Sequence, residues 1–184
     1  MISEVNDFLS PEHCDLLIEL SQPQFFKTTT LGKEIDGYRV AQGAWLSSNL
    51  DAVKSLRKMV SEYTSLPEEN MEGTHIVKYE IGGQYKVHHD FFHPGEDYFE
   101  REVTNRGGQR TKSALIYLND DFTGGETEFP QINIKVVPKK GKLLTWDNLN
   151  PDGSLDYTSL HAGLPVESGI KYIAVIWIRE NKFV

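Results

Sequence analysis

Tyr79-Glu80-Ile81-Gly82-Gly83-Gln84-Tyr85-Lys86-Val87-His88-His89-Asp90-Phe91 reads as two β-strands joined by a glycine turn. Gly82-Gly83 supplies the turn, and the Tyr, Val and Phe on either side suit a pleated surface. Outward from this hairpin the pattern repeats. From His75 onward, short runs rich in Val, Ile, Tyr, Phe and Trp are separated by Gly, Pro, Asn and Asp at intervals of about ten residues. Strands are predicted over residues 75–79, 85–91, 113–118, 127–129, 132–137, 143–146, 159–162 and 171–178. About eight strands with long-range pairing predict a mostly β protein with flanking helices, built on a double-stranded β-helix (jelly roll).

Before His75 the period changes. Ser10-Pro11-Glu12 is a helix start, with Ser as N-cap and Pro at the first helical position. Val53, Leu56, Met59, Val60 and Tyr63 fall at spacings of three and four, which predicts a helix over 50–64 ended by Leu66-Pro67. The expectation is one domain over 1–184, with a helical N-terminal part at about 1–70 packed outside a jelly-roll core at about 71–184. Residues 92–110 are polar and long for a connection in a compact domain, which predicts a lid or binding loop, with a plain insertion as the alternative.

The 184 residues carry a net charge of -8, and no basic cluster exceeds Lys139-Lys140-Gly141-Lys142, so the electrostatic footprint of a nucleic-acid binder is missing. No run of 18 apolar residues occurs, and the first residues lack a basic-then-apolar signal pattern. A single cysteine, Cys14, cannot form an internal disulfide. These features predict a cytoplasmic protein with no membrane partner.

Side chains alternate along a strand, so His88 and Asp90 project from one face while His89 points away. An imidazole and a carboxylate at one point, joined by a distant histidine, make the two-His-one-carboxylate facial triad, which leaves three positions of an octahedral Fe(II) open. Taken alone, His-x-Asp more often describes a surface pair. Of the six histidines, His13 lies in the first helix, His75 well before the triplet, His89 on the other face and His93 in the polar loop; His161 remains. Ten residues beyond it, Lys171 opens the apolar strand Lys171-Tyr172-Ile173-Ala174-Val175-Ile176-Trp177-Ile178 and shares a face with Ile173, Val175 and Trp177. A lysine buried there needs a carboxylate, which a dicarboxylate ligand would supply; the alternative is a lysine capping the exposed strand end.

Tyr79 to Phe92 resembles the Y-x-x-G-x-x-Y-x-x-H-x-D segment of the prolyl 4-hydroxylase family of Fe(II)/2-oxoglutarate-dependent dioxygenases. Tyr117-Leu118-Asn119-Asp120 followed by Gly124-Gly125-Glu126-Thr127-Glu128-Phe129-Pro130 is similar to the family's Y-L-N and G-G-E-T-x-F-P elements. The third block runs from Asn148-Leu149-Asn150-Pro151-Asp152-Gly153 through Ser159-Leu160-His161-Ala162-Gly163-Leu164-Pro165-Val166 to Gly169-Ile170-Lys171-Tyr172. The resemblance covers about 72–179. It implies His88, Asp90 and His161 as iron ligands, Lys171 as partner of the distal 2-oxoglutarate carboxylate, and Tyr79 and Tyr117 as hydroxyl donors to that cosubstrate. On the substrate side it implies Trp177, Arg110 and, more loosely, Glu72; for Trp177 core packing is an equal alternative. Leu164 and Tyr172 depart from the family's usual Cys and Trp and bear on substrate choice.

The implied activity is hydroxylation of a peptidyl proline in a peptide or protein, coupled to oxidative decarboxylation of 2-oxoglutarate to succinate, with Fe(II), 2-oxoglutarate, O2 and ascorbate as reductant. The same chemistry on another residue or a small molecule is the alternative, and a non-catalytic jelly-roll binding module the rival from another class. Asn148 to Gly153 fails as a calcium loop, Gly141-Lys142 lacks a nucleotide loop's earlier glycine, and His-Asp-His is not a common zinc set.

Overall fold

The computed structural model describes residues 1–28 and 37–184. Two antiparallel sheets face each other. The larger has seven strands in the order Ile2–Val5, Leu143–Asp147, Arg110–Tyr117, Lys171–Arg179, Thr74–Tyr79, Gln42–Leu46 and Phe26–Lys27. The smaller has five, Ile134–Val136, Thr127–Phe129, His161–Gly163, Gln84–His88 and Arg39–Val40. Val166–Ser168 pairs with Thr123–Gly124 beside them. This is the jelly roll that the alternating segments predict.

Period-two alternation in the central strand Lys171–Arg179 divides two cores. Ile173, Val175 and Trp177 face the space between the sheets, with Val77, Tyr79, Leu115, Tyr117, Phe129 and Trp146. Ala174, Ile176 and Ile178 point the other way, toward Cys14 and Leu17 of the helix Pro11–Ser21 and Val53, Leu56 and Val60 of the helix Asp51–Thr64. Ser10 caps the first helix through its hydroxyl, which accepts from the His13 amide. Both helices therefore cover the outer face of the large sheet and leave the inter-sheet space to chemistry.

The expectation of a helical part at about 1–70 needs correction. Ile2–Val5, Phe26–Lys27, Arg39–Val40 and Gln42–Leu46 also lie there and complete the edges of both sheets. They are short, and Gln42-Gly43-Ala44 has little β-propensity of its own; pairing with Thr74–Tyr79 makes it a strand. Strand ends shift as well. The strand predicted over 85–91 stops at His88, and the one predicted over 132–137 is Ile134–Val136, because Pro130–Ile132 forms a 3-10 turn.

Candidate metal centre

Antiparallel pairing of His161–Gly163 with Gln84–His88 sets His161 directly opposite His88. Asp90 lies two residues past the end of that strand, in a bend, and its carboxylate still turns to the face of His88. Oδ1 of Asp90 is 3.8 Å from Nε2 of His88, and Oδ2 is 3.8 Å from Nε2 of His161. The three ligand atoms lie within 4.8 Å of one another. His89 faces elsewhere: its Nε2 meets the Tyr157 carbonyl at 3.2 Å and its ring stacks on Phe91.

The surroundings prepare these groups for a metal. Nδ1 of His88 meets the Lys86 carbonyl at 2.7 Å, and Nδ1 of His161 meets the Ser159 carbonyl at 2.9 Å. Both rings thus commit Nδ1–H to backbone and turn the Nε2 lone pair toward Asp90, the arrangement metal-binding histidines need. Burial, then the neighbouring His161, holds the pKa of His88 well below its usual value, so the ring stays neutral. Burial alone would raise Asp90, but His161, His88, Arg110 and the Ser113 hydroxyl prevail and hold it below the ordinary carboxylate value. Two imidazoles and one carboxylate in a buried pocket fit Fe(II) with open positions. Tyr85 stacks on His88 at 3.5 Å between ring centres, and Trp146 packs against His161 at 4.6 Å.

Lys171 lies on the same inter-sheet face, only 2% exposed. It does not cap an exposed strand end. Its Nζ donates to the Gly125 carbonyl at 2.6 Å, and burial lowers its pKa to about 7. An ammonium has three donors, so a bound carboxylate would meet the two that this one acceptor leaves. Gly125 sits at φ +67°, and a Cβ there would stand 3.1 Å from Cδ of Lys171; glycine lets the backbone carbonyl approach the amine. The rings of Tyr79 and Tyr117 lie 5.2 and 5.6 Å from Nζ. The hydroxyl of Tyr117 shares a 2.6 Å hydrogen bond with Thr127.

Glu72, Arg110 and Trp177 come together on the wall of a cleft of about 700 Å³ that also reaches His88 and Asp90. Arg110 lies 4.0 Å over the Trp177 ring, grips Glu72 at 2.6 and 2.8 Å, and reaches the Asp90 carbonyl at 3.4 Å. Glu72 is therefore already paired, and its second partner is Arg179, at 2.6 Å. The segment expected as a lid is tied down as a cleft wall. Gln109 bonds both the amide and the carbonyl of Phe92, while Arg179 donates to the carbonyls of Glu102 and Gly108. Reading from residues alone missed Ser113, Asn148, Tyr85 and Arg179.

The family model of the 2OG-Fe(II) oxygenase superfamily matches residues 74–179, a span that holds every residue named above as ligand or cosubstrate contact. Prolyl 4-hydroxylase 5 of Arabidopsis thaliana is 34% identical over 203 residues, covering 97% of this chain and 68% of the relative. Prolyl 4-hydroxylase subunit alpha-1 of Gallus gallus is 33% identical over 181 residues, covering 95% of this chain and 35% of that subunit. Among solved structures, the viral collagen prolyl hydroxylase of Paramecium Bursaria Chlorella virus-1, in its 2OG complex, superposes with a TM-score of 0.76 at 27% identity, over 96% of this chain and 94% of that one.

Proposed function

The chain belongs to the prolyl 4-hydroxylase family within the 2OG-Fe(II) oxygenase superfamily, and from that premise we propose that it hydroxylates prolyl residues of a peptide or protein, with iron on His88, Asp90 and His161. The observation that carries the proposal is the convergence of two Nε2 atoms and a carboxylate in the same inter-sheet space as the buried, under-partnered amine of Lys171. Fe(II) supplies oxygen activation when bound, coupled to decarboxylation of 2-oxoglutarate to succinate, with ascorbate as the reductant that keeps the metal ferrous.

The chain's own groups do the rest. The Lys86 and Ser159 carbonyls hold the two rings in the tautomer that ligates. Lys171 takes the distal carboxylate of 2-oxoglutarate, and Tyr79 and Tyr117 frame it. Arg110, fixed by Glu72 and stacked on Trp177, orients the peptide at the cleft edge of Asp90. The apolar lining of the inter-sheet space excludes water from the reacting carbon. Cys14 is free and buried, so the fold asks nothing of an oxidising compartment, and a cytoplasmic setting forms part of the proposal.

Mass spectrometry of a panel of proline-containing peptides incubated with Fe(II), ascorbate and 2-oxoglutarate tests the assignment. One added oxygen atom on a proline is expected. Succinate release with no peptide modified would transfer the chemistry to another substrate.

A further inference from the structure

The strand that carries His88 ends there, and Asp90, Phe91 and Phe92 run on outside it. Buried N–H and C=O groups on such a stretch must find partners other than a neighbouring strand. At Phe92 the partner is a side chain. Oε1 of Gln109 accepts from the Phe92 amide at 2.7 Å while its Nε2 donates to the Phe92 carbonyl at 2.8 Å, the pair of bonds that an antiparallel strand would have made. The same Oε1 accepts from the Arg110 amide at 3.0 Å, and the Arg110 guanidinium reaches back to the Asp90 carbonyl at 3.4 Å. Gln109 is only 6% exposed, although glutamines are mostly exposed. Its own backbone is fixed in turn: the amide donates to the Glu180 carboxylate at 2.7 Å, and the carbonyl accepts from the Glu180 amide at 3.0 Å. Gly108 permits that approach, since a Cβ there would collide with the Glu180 carboxylate.

The geometry points to Gln109 as a positioning residue for two groups at once, the carboxylate of Asp90 and the guanidinium of Arg110. This rests on the metal and peptide assignments proposed above and adds the side chain that ties one to the other. For Asp90 the lever is short. Phe92 is two residues on, so pinning both of its backbone groups fixes the path of the chain that carries the carboxylate, while Ser113 sets the final direction of that carboxylate. For Arg110 there are two levers. Gln109 holds its amide directly, and through Phe92 it holds the ring that lies 4.7 Å from the guanidinium, which also sits 4.0 Å over Trp177. Ser113 bonds Asp90 and not Arg110, and Glu72 bonds Arg110 and not Asp90; Gln109 bonds the backbone that leads to both. The place requires a glutamine for chemical reasons. Asparagine keeps the amide but falls one methylene short, methionine keeps the length but loses every bond, and an ionised carboxylate has no proton to give the Phe92 carbonyl. A buried amide with its bonds met is rigid, and removing it strands N–H and C=O groups in the interior, so the segment from Asp90 to Phe92 must shift to recover them.

The test compares wild type with Gln109→Met, Gln109→Asn and a control, Leu17→Ala, which opens a cavity in the outer core beneath the helices. Calorimetric titration with Mn(II) alone, well below every melting temperature, reads the carboxylate. KM for a hydroxylated proline peptide at saturating Fe(II) and 2-oxoglutarate reads the arginine. In both Gln109 variants Mn(II) Kd and peptide KM should each rise about tenfold, the lower end of the cost of losing a partner behind a metal ligand. Leu17→Ala should lower the melting temperature at least as far and leave both values within twofold, which separates positioning from plain loss of stability. The inference falls if either value stays within twofold of wild type in the Gln109 variants, or if Leu17→Ala moves both as far as they do. Should Gln109→Met fail to fold, Gln109→Asn decides by the same limits. If wild type hydroxylates no peptide of the panel, the proline reading fails, and Mn(II) affinity alone decides the role of Gln109.

Discussion

The hydroxyl of Ser113, on a strand of the large sheet, donates to Oδ2 of Asp90, at the end of a strand of the small sheet, at 2.6 Å. This bond crosses the inter-sheet space, and the amide of Asn148 in turn donates to Ser113 at 3.0 Å. Asp90 has left its strand, so this pair replaces sheet pairing as the device that aims its carboxylate. Ser113→Ala should weaken Fe(II) or Mn(II) affinity about 10-fold to 100-fold, the usual cost of losing a partner behind a metal ligand. Calorimetric metal titration checks it; unchanged affinity would show that the histidines alone position the ion.

Lys171 gives a pH dependence with a definite sign. The free amine titrates at about 7 because burial outweighs the attraction of Glu126. A carboxylate needs the ammonium, so 2-oxoglutarate should bind with proton uptake, and its Kd should rise about tenfold per pH unit above 7. Calorimetry in buffers of different ionisation heat reads the uptake directly. For folding the sign is opposite. The folded value lies below the ordinary 10.5, so between about 7 and 10.5 the unfolded chain holds the extra proton and the ligand-free protein gains stability as pH rises. Below 7 the cost of the buried charge is fully present. Lys171→Met should remove both effects and abolish saturation by 2-oxoglutarate.

His88 and His89 are adjacent in sequence and turned to different surroundings, and metal stoichiometry can read the consequence without any turnover. His88→Ala or His161→Ala leaves two ligands and should give protein that retains little Fe(II) after dialysis. His89→Ala should retain one ion per chain, because the His89 ring is occupied with the Tyr157 carbonyl and the Phe91 face. Equal loss from His88→Ala and His89→Ala would sink the facial assignment.

The candidate ligand set was legible because strand parity is a rigid rule: it separates His88 from His89 and puts Lys171 on the face of Ile173 and Val175. The same rule applied to Thr74–Tyr79 places His75 beside Val77 and Tyr79, and its ring is buried there. Ser113 had no such mark, since a serine in an apolar strand looks like an ordinary small core residue until Asp90 is seen across from it. Arg179 reads as a polar strand end, and only the fold shows it buried against Glu72 and the carbonyls of Glu102 and Gly108. The edge strands Ile2–Val5 and Gln42–Leu46 owe their form to long-range partners, Leu143–Asp147 and Thr74–Tyr79, and local propensity cannot report that.

Glu72 is shared between two guanidinium groups, the partly exposed Arg110 on the cleft side and the buried Arg179 beneath it. Burial alone would raise its pKa, but Arg110 and Arg179 win and hold it below the usual 4.5. Removing the carboxylate leaves both cations without their counter-charge, so Glu72→Ala should cost about 3–5 kcal/mol, the range for breaking a buried pair from one side. Thermal denaturation should show a fall on the order of 10 °C in a chain of this size. Because the folded value is depressed, the stabilisation from ionised Glu72 is present above pH 4.5 and is lost as pH falls through that lower folded value. Glu72→Gln should therefore flatten the acid limb of the stability curve as well as lower it. Arg110 also loses the fork that fixes it over Trp177, so peptide KM should rise in Glu72→Gln while affinity for 2-oxoglutarate, held on the Lys171 side, stays within twofold. A matching loss of 2-oxoglutarate affinity would mean that the arginine pair supports the whole inter-sheet pocket and not only its peptide edge.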